Sequence, residues 1–110
     1  MTMRTIHIPL SETLKSLSNE IALKTLGYVR LYGELCVCEF EGLLDLPQPT
    51  ISRHLKLLSD SGLLTVRRDG RWRFFSLCEL PGYVEEIIEL AIEEYDIRKK
   101  SHFKRCGGGK

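Results

Sequence analysis

The sequence predicts a mainly α-helical domain with a β-hairpin wing, the winged variant of the helix-turn-helix. Three observations carry that prediction. Two short amphipathic helix patterns are joined by the turn Asp45-Leu46-Pro47, two β-prone runs flank Arg68-Asp69-Gly70-Arg71 directly after them, and one more helix pattern follows. At 110 residues and 43% hydrophobic content the chain suits one compact domain with a small core. That domain is expected over residues 1–105, with 106–110 as a flexible, glycine-rich tail.

Each element has a local cause. Ser11-Glu12 can cap a first helix carrying Leu14 and Leu17, and Ser18-Asn19-Glu20 offers a second start before Ile21, Leu23, Leu26 and Val29, with Gly33 as its stop. Val37, Phe40 and Leu44 recur at helical spacing and set the inner face of a short third helix. In the fourth, Ile51, Leu55 and Leu58 form the buried stripe, Gly62 ends the helix, and Gln48, Thr50, Ser52, Arg53 and Lys56 turn outward. The runs Leu63–Arg67 and Trp72–Leu77 then pair through a tight turn, for which Asp69-Gly70 is suited. Pro81 opens a last helix in which Tyr83, Ile87, Leu90, Ala91 and Tyr95 interleave with Val84, Ile88 and Ile92. Such an apolar stripe is wide for one exposed helix and predicts a homodimer that covers it.

The formal net charge of +1 hides a sorting of charges along the chain. Between Pro49 and Phe75, Arg53, Lys56, Arg67, Arg68, Arg71 and Arg73 face only Asp60 and Asp69, which points to nucleic acid. The fourth helix is the one placed to enter a major groove. Gln48, Thr50, Ser52 and Arg53 would reach base edges or phosphates, with Lys56 beside them; His54 either joins them or packs at the helix edge. Arg67, Arg68, Arg71 and Arg73 on the wing would neutralise phosphates or enter the minor groove. A hairpin that needs only solubility would mix signs, whereas this one holds four arginines and one aspartate. No catalytic constellation is present, so a non-enzyme is expected. No signal-peptide pattern and no run of about 18 apolar residues occurs, so a cytoplasmic protein without a membrane partner is expected.

In a reducing cytosol Cys36, Cys38, Cys78 and Cys106 are expected as thiols, ligands or redox sensors rather than structural disulfides. Cys36-Val37-Cys38 stands about ten residues ahead of the fourth helix, and a thiolate pair selects soft ions such as As(III), Sb(III), Cd(II), Cu(I) or Zn(II). Positions i and i+2 do not face one another on a helix, so closing both sulfurs on one ion is expected to unwind the start of the third helix. Phe40 and Leu44 would pass that distortion to the fourth. Cys78, beside an apolar strand pattern, is read as a small buried hydrophobe.

Together these motifs resemble the ArsR/SmtB family of metal-responsive repressors. Glu34-Leu35-Cys36-Val37-Cys38-Glu39 is similar to that family's metal box, Gln48-Pro49-Thr50-Ile51-Ser52-Arg53-His54-Leu55 to its recognition helix, and Gly62-Leu63-Leu64 through Gly70-Arg71-Trp72 to its wing. The similarity runs from about Leu17 to Leu77. It implies a homodimer joined through the first and last helices that binds operator DNA and leaves it when an ion binds. Two places depart from the pattern. Pro47 stands where relatives commonly have a capping Ser, and Asn19-Glu20-Ile21-Ala22-Leu23 lacks the acidic-Thr-Arg pattern of the second helix.

The resemblance also implies which ion is sensed. Relatives that bind cadmium add an N-terminal Cys pair, where this chain has only His7, and relatives that bind zinc use Asp-x-His with a later His, where this chain has Asp96-Ile97-Arg98 and a lone His102. The arsenic-responsive branch uses the Cys-Val-Cys box, so As(III) or Sb(III) is the expected inducer, with no organic cofactor. That branch commonly places a third cysteine where this chain has Glu41, a poor ligand for a soft ion. The third bond is left to Cys106, an external thiol, or water or hydroxide, with Cys78 the least suited.

Three rival readings remain. A thiol redox or persulfide sensor would pair Cys36 or Cys38 with Cys106. A dithiol oxidoreductase would need a thioredoxin-like βαβ pattern, which is missing here. A metal-blind winged helix would keep both cysteines as core. Trp72 is expected to pack against the hairpin base, and Tyr83, Tyr95 and Phe103 to pack in the dimer helices.

Overall fold

The computed structural model describes residues 9–100. The elements run α1 (Leu10–Leu17), α2 (Glu20–Tyr32), β1 (Leu35–Cys36), α3 (Val37–Leu44), α4 (Gln48–Asp60), β2 (Leu64–Asp69), β3 (Trp72–Leu77) and α5 (Gly82–Glu94). The expected domain boundary at 105/106, the tail, His7, His102, Phe103 and Cys106 lie outside the described residues.

Local chemistry accounts for the helix ends. Asn19 caps α2 by accepting the Ala22 N–H at 3.1 Å. The start of α1 differs from expectation. It follows Pro9, whose carbonyl accepts the Glu12 and Thr13 N–H groups, and Ser11 lies inside the helix. Leu17 is buried but Leu14 is not; Thr13 takes the inner position. At the end of α4, Leu63 N–H returns to Leu58 O and Gly62 N–H to Ser59 O, the paired bonds that close a helix through a left-handed residue. The same pattern ends α5 at Asp96, and Ile97 then folds back under the helix. A Cβ on Gly27 of α2 would come within 2.6 Å of Ile97 Cδ1, so the bare glycine admits this close packing.

Phe40, Leu26, Leu35, Ile51, Leu55, Leu58, Val84 and Ile88 form the centre of the core. In α3 the inner stripe is Phe40 with Leu43, and Leu44, the expected partner, is only half-buried. On α5, Val84, Ile88 and Ala91 face inward, while Leu90 is 63% exposed and Tyr83 also faces out. Leu10 and Leu14 of α1 are exposed as well.

The wing is β2 paired antiparallel with β3 from Leu64↔Leu77 to Asp69↔Trp72. The loop is therefore Gly70-Arg71 rather than Asp69-Gly70, and the positive φ of 66° at its first position is the conformation that only glycine takes without strain. The third strand was not foreseen. β1 pairs with the other edge of β3, Leu35↔Phe75 and Cys36↔Phe74, so the sheet order is β1-β3-β2.

Candidate cysteine site and nucleic-acid interface

Cys36 occupies two structures at once: it is the last residue of β1 and the N-cap of α3, with extended backbone angles of φ −99° and ψ 170°. Cys38 lies in the first helical turn. The pair straddles the strand-to-helix junction, and its sulfurs approach to 3.2 Å. The expected unwinding of α3 is therefore not needed to bring them together, because the first cysteine is outside the helix already.

Glu39 completes the junction. Its carboxylate accepts the Cys36 N–H at 2.9 Å while its own N–H points to the Cys36 sulfur, a capping box in which a thiol replaces the usual hydroxyl. Glu39 is 2% exposed and Cys36 1%. Sequence reasoning passed over Glu39, although the spacing Cys36-x-x-Glu39 carried the signal. Burial pushes the Cys36 thiol above its ordinary pKa, and the Glu39 N–H partly offsets this. The N-terminal end of α3 also favours negative charge on sulfur.

The two cysteines line a cleft of about 400 Å³ with Val37, Glu41, Gln48, Arg71, Trp72 and Arg73. The cleft thus brings the cysteine box, the first residue of α4 and the wing to one place. Trp72 is half-buried at its wall, with the Arg71 guanidinium 5.8 Å from its ring centre. Cys78 sits elsewhere. It follows β3, half-buried, and donates its N–H to Leu63 O. No group of three or more His, Cys, Asp or Glu side chains poised for a metal occurs among the described residues. Two sulfurs are brought together there, Cys36 as a free thiol and Cys38 disulfide-bonded in this structure rather than the thiol expected of it.

On α4, Ile51, Leu55 and Leu58 are buried as the spacing predicts. Gln48, Arg53 and Lys56 are exposed, with Thr50 and Ser52 half-buried near the helix start. Pro47 occupies the N-cap with no side-chain bond, but its carbonyl accepts the Thr50 and Ile51 N–H groups. Pro49 has no N–H that needs a partner, so the missing hydroxyl leaves less unsatisfied than it otherwise would. His54 turns away toward α1. It is half-buried in a depression with Glu12, Lys15, Ser16 and Ser61, and burial, with the charge of Arg53, lowers its pKa. Packing at the helix edge is the alternative the structure favours for it.

The wing arginines divide. Arg67 makes a two-point ion pair with Glu34, both bonds 2.9 Å, and lies 4.7 Å from the centre of the Phe74 ring. Arg68 and Arg73 stand directly opposite one another in the β2–β3 register. Like charges so placed repel, and neither has a carboxylate partner among the described residues. An anion between them would remove the penalty.

A helix pair whose second member exposes a polar start, beside a wing with opposed unpaired arginines, defines a winged helix-turn-helix transcription regulator. No helix among the described residues is long and apolar enough to cross a membrane. The model of the bacterial regulatory proteins of the arsR family matches residues 19–66, and the chain belongs to that family of repressors. It is similar to the arsenic resistance transcriptional regulator ArsR2 of Pseudomonas putida, 40% identical over 83 residues that cover 74% of this chain and 72% of that protein. It is also similar to the arsenical resistance operon repressor of Escherichia coli, 41% identical over 81 residues, 73% of this chain and 69% of that one. Among solved structures, HlyU from Vibrio cholerae superposes with a TM-score of 0.67 at 32% identity, covering 79% of this chain and 91% of its own.

Proposed function

We propose that this repressor binds operator DNA as a homodimer and releases it when As(III) or Sb(III) is captured by Cys36 and Cys38. It acts in the cytoplasm as a regulator and not as an enzyme. The observation that carries the reading is the 3.2 Å approach of the two sulfurs inside a cleft walled by Gln48 of α4 and Arg71 and Arg73 of the wing. The similarity to arsenic-resistance regulators supports the choice of ion.

The junction explains how capture would reach the DNA. Engaging the Cys36 sulfur competes with the bond from the Glu39 N–H and loosens the cap of α3. Two paths lead outward. α3 packs beneath α4 through Phe40, and β1 is in register with β3, whose Phe74 lies beneath Arg67. Both elements that face DNA are therefore attached to the cysteine junction. A dimer must hold its two recognition helices about 34–36 Å apart, so small shifts are enough to weaken binding. The exposed Leu10, Leu14, Tyr83 and Leu90 on the first and last helices supply an apolar surface for that dimer.

DNA contacts are assigned to Gln48, Thr50, Ser52, Arg53 and Lys56 on α4 and to Arg68, Arg71 and Arg73 on the wing. Arg67 and His54 are second to these, because Glu34 holds the one and the α1 side receives the other. The test is fluorescence anisotropy of a labelled promoter fragment with the reduced protein, challenged with arsenite, antimonite, Cd(II), Zn(II) and a mild oxidant. Release by arsenite or antimonite in the parent, and none in Cys36→Ser/Cys38→Ser, is expected. The close sulfurs also suit oxidation, so release by the oxidant alone would replace this reading with a thiol redox sensor.

A further inference from the structure

We propose that the cleft between the start of α4 and the tip of the wing seats one sugar-phosphate unit of the operator backbone, with Arg71 and Gln48 on the phosphate and the Trp72 indole against the deoxyribose; this rests on the reading that α4 and the wing face operator DNA. The cleft has a volume of about 400 Å³, with Gln48 on its α4 side and Arg71, Trp72 and Arg73 on its wing side. Trp72 stands at the tip of the hairpin rather than at the base expected of it. It pairs with Asp69, the last residue of β2, and adjoins the loop Gly70-Arg71. Its ring is only half-buried there, so packing within the chain leaves part of a large apolar face open to the cleft.

Duplex geometry says what passes through. Each phosphodiester strand is the ridge that separates a major groove from the neighbouring minor groove, so a helix in the one and a wing at the other lie on opposite sides of a single strand. That strand must run between Gln48 and the wing tip, and the cleft is the space found between them.

The chemistry of the lining suits a sugar-phosphate. Arg71 is exposed, has no carboxylate partner among the described residues, and holds its guanidinium 5.8 Å from the centre of the Trp72 ring. A guanidinium beside an indole presents its N–H fork to a phosphate while the ring offers an apolar face to the adjoining sugar. The start of α4, a helix of 13 residues, adds the positive end of its dipole on the same side. Glu41 is the one carboxylate in the lining, against the two cations Arg71 and Arg73. Contacts to sugar and phosphate fix position and carry no sequence information. The cleft is therefore assigned to placing the wing on the duplex, and base reading stays with α4.

The sole tryptophan of the chain is Trp72, so its emission reports on the cleft directly. The test titrates the full reduced chain with an unlabelled promoter fragment and with an unrelated duplex of the same length at low salt. On both, the emission is expected to change and quenching by acrylamide to fall several-fold. In parallel, single methylphosphonate linkages, each removing one backbone charge, are stepped along the labelled promoter fragment in anisotropy titrations. One linkage for each bound chain should weaken the parent on the order of tenfold and weaken Arg71→Ala little further, as coupled partners do. Both measurements need only the parent and the substitution of an exposed side chain. Trp72→Ala should weaken binding to the two duplexes by the same factor, with Trp72→Phe keeping most of the affinity. Arg71→Ala should lower the salt slope by about one, and Glu41→Gln should tighten both complexes. Unchanged emission and acrylamide access at saturating promoter fragment would overturn the assignment, as would a scan in which no linkage couples to Arg71. A Trp72→Ala loss confined to the promoter sequence would overturn it in favour of a base contact. A parent that binds neither duplex would refute the underlying reading as well.

Discussion

At the cysteine junction, the Cys36 N–H is taken by Glu39, its sulfur receives the Glu39 N–H, and its strand pairs with β3. At the tip of the wing, Arg68 and Arg73 oppose each other with no carboxylate partner among the described residues. One region has its hydrogen bonds made within the chain and the other leaves charge uncompensated at the surface. The difference separates two kinds of site. A surface that leaves its cations unpaired is arranged for a polyanion from outside, and affinity there comes with a steep salt dependence. A junction whose polar groups are already satisfied can respond to a ligand only by giving up a bond it holds, which is what a switch requires. Arg67 lies between the two, a wing cation that Glu34 has drawn into the fold.

The comparison breaks most visibly if the wing is not the anion site. Arg68→Ala/Arg73→Ala should weaken operator binding strongly and lower the salt slope by about one for each phosphate that the wing no longer neutralises. Thermal stability should hold or rise as the repulsion is relieved, and anisotropy across a salt series checks the first point. Next in size is the junction itself. Glu39→Ala leaves the buried Cys36 N–H without its acceptor and should cost about 1–3 kcal/mol in urea unfolding. No loss there would mean the cap does not hold the junction.

A pH series tests the proposed sensing at the cysteine junction. Burial raises the Cys36 pKa, so the neutral thiol is the form that the fold favours. That contribution to stability is whole below the ordinary thiol value and is lost as pH climbs through and beyond it. Arsenite capture runs the other way, since the thiolate is the attacking form, and its rate in stopped-flow should climb from about pH 7 to about pH 9. A flat rate would mean that Cys36 is not the slow ligand. The smallest effect is expected from Glu34→Gln, which frees Arg67. Operator affinity should rise slightly, and release by arsenite should need more ligand because one tie between β1 and the wing is cut. An unchanged arsenite response would assign transmission to α3 and α4 alone.

Much of this molecule is legible along the chain because its causes are local. Ile51, Leu55 and Leu58 repeat at the helical period, Asn19 stands where a cap is needed, and the β-prone runs on either side of Gly70 announce a hairpin. The cysteine pair and the sorted arginines are equally plain. What was missed depends on segments far apart. A strand of two residues has no period to detect, so β1 emerges only when Leu35 and Cys36 meet β3. Leu43 rather than Leu44 is buried in the core, a choice between neighbouring positions that a short stripe leaves nearly equal and that only packing against distant segments makes.

The sequence by itself determined the kind of protein: a winged helix with a close cysteine pair beside a basic helix and wing, since composition, period and motif spacing are properties of neighbours. Only the tertiary structure decided how those parts act on one another. It placed Cys36 at the seam of strand and helix, and it committed Arg67 to Glu34 while leaving Arg68 and Arg73 opposed. It also returned Lys100 to the end of α3. Each is a contact between residues distant along the chain, and such contacts are selected by the packing of the whole core rather than by any local preference.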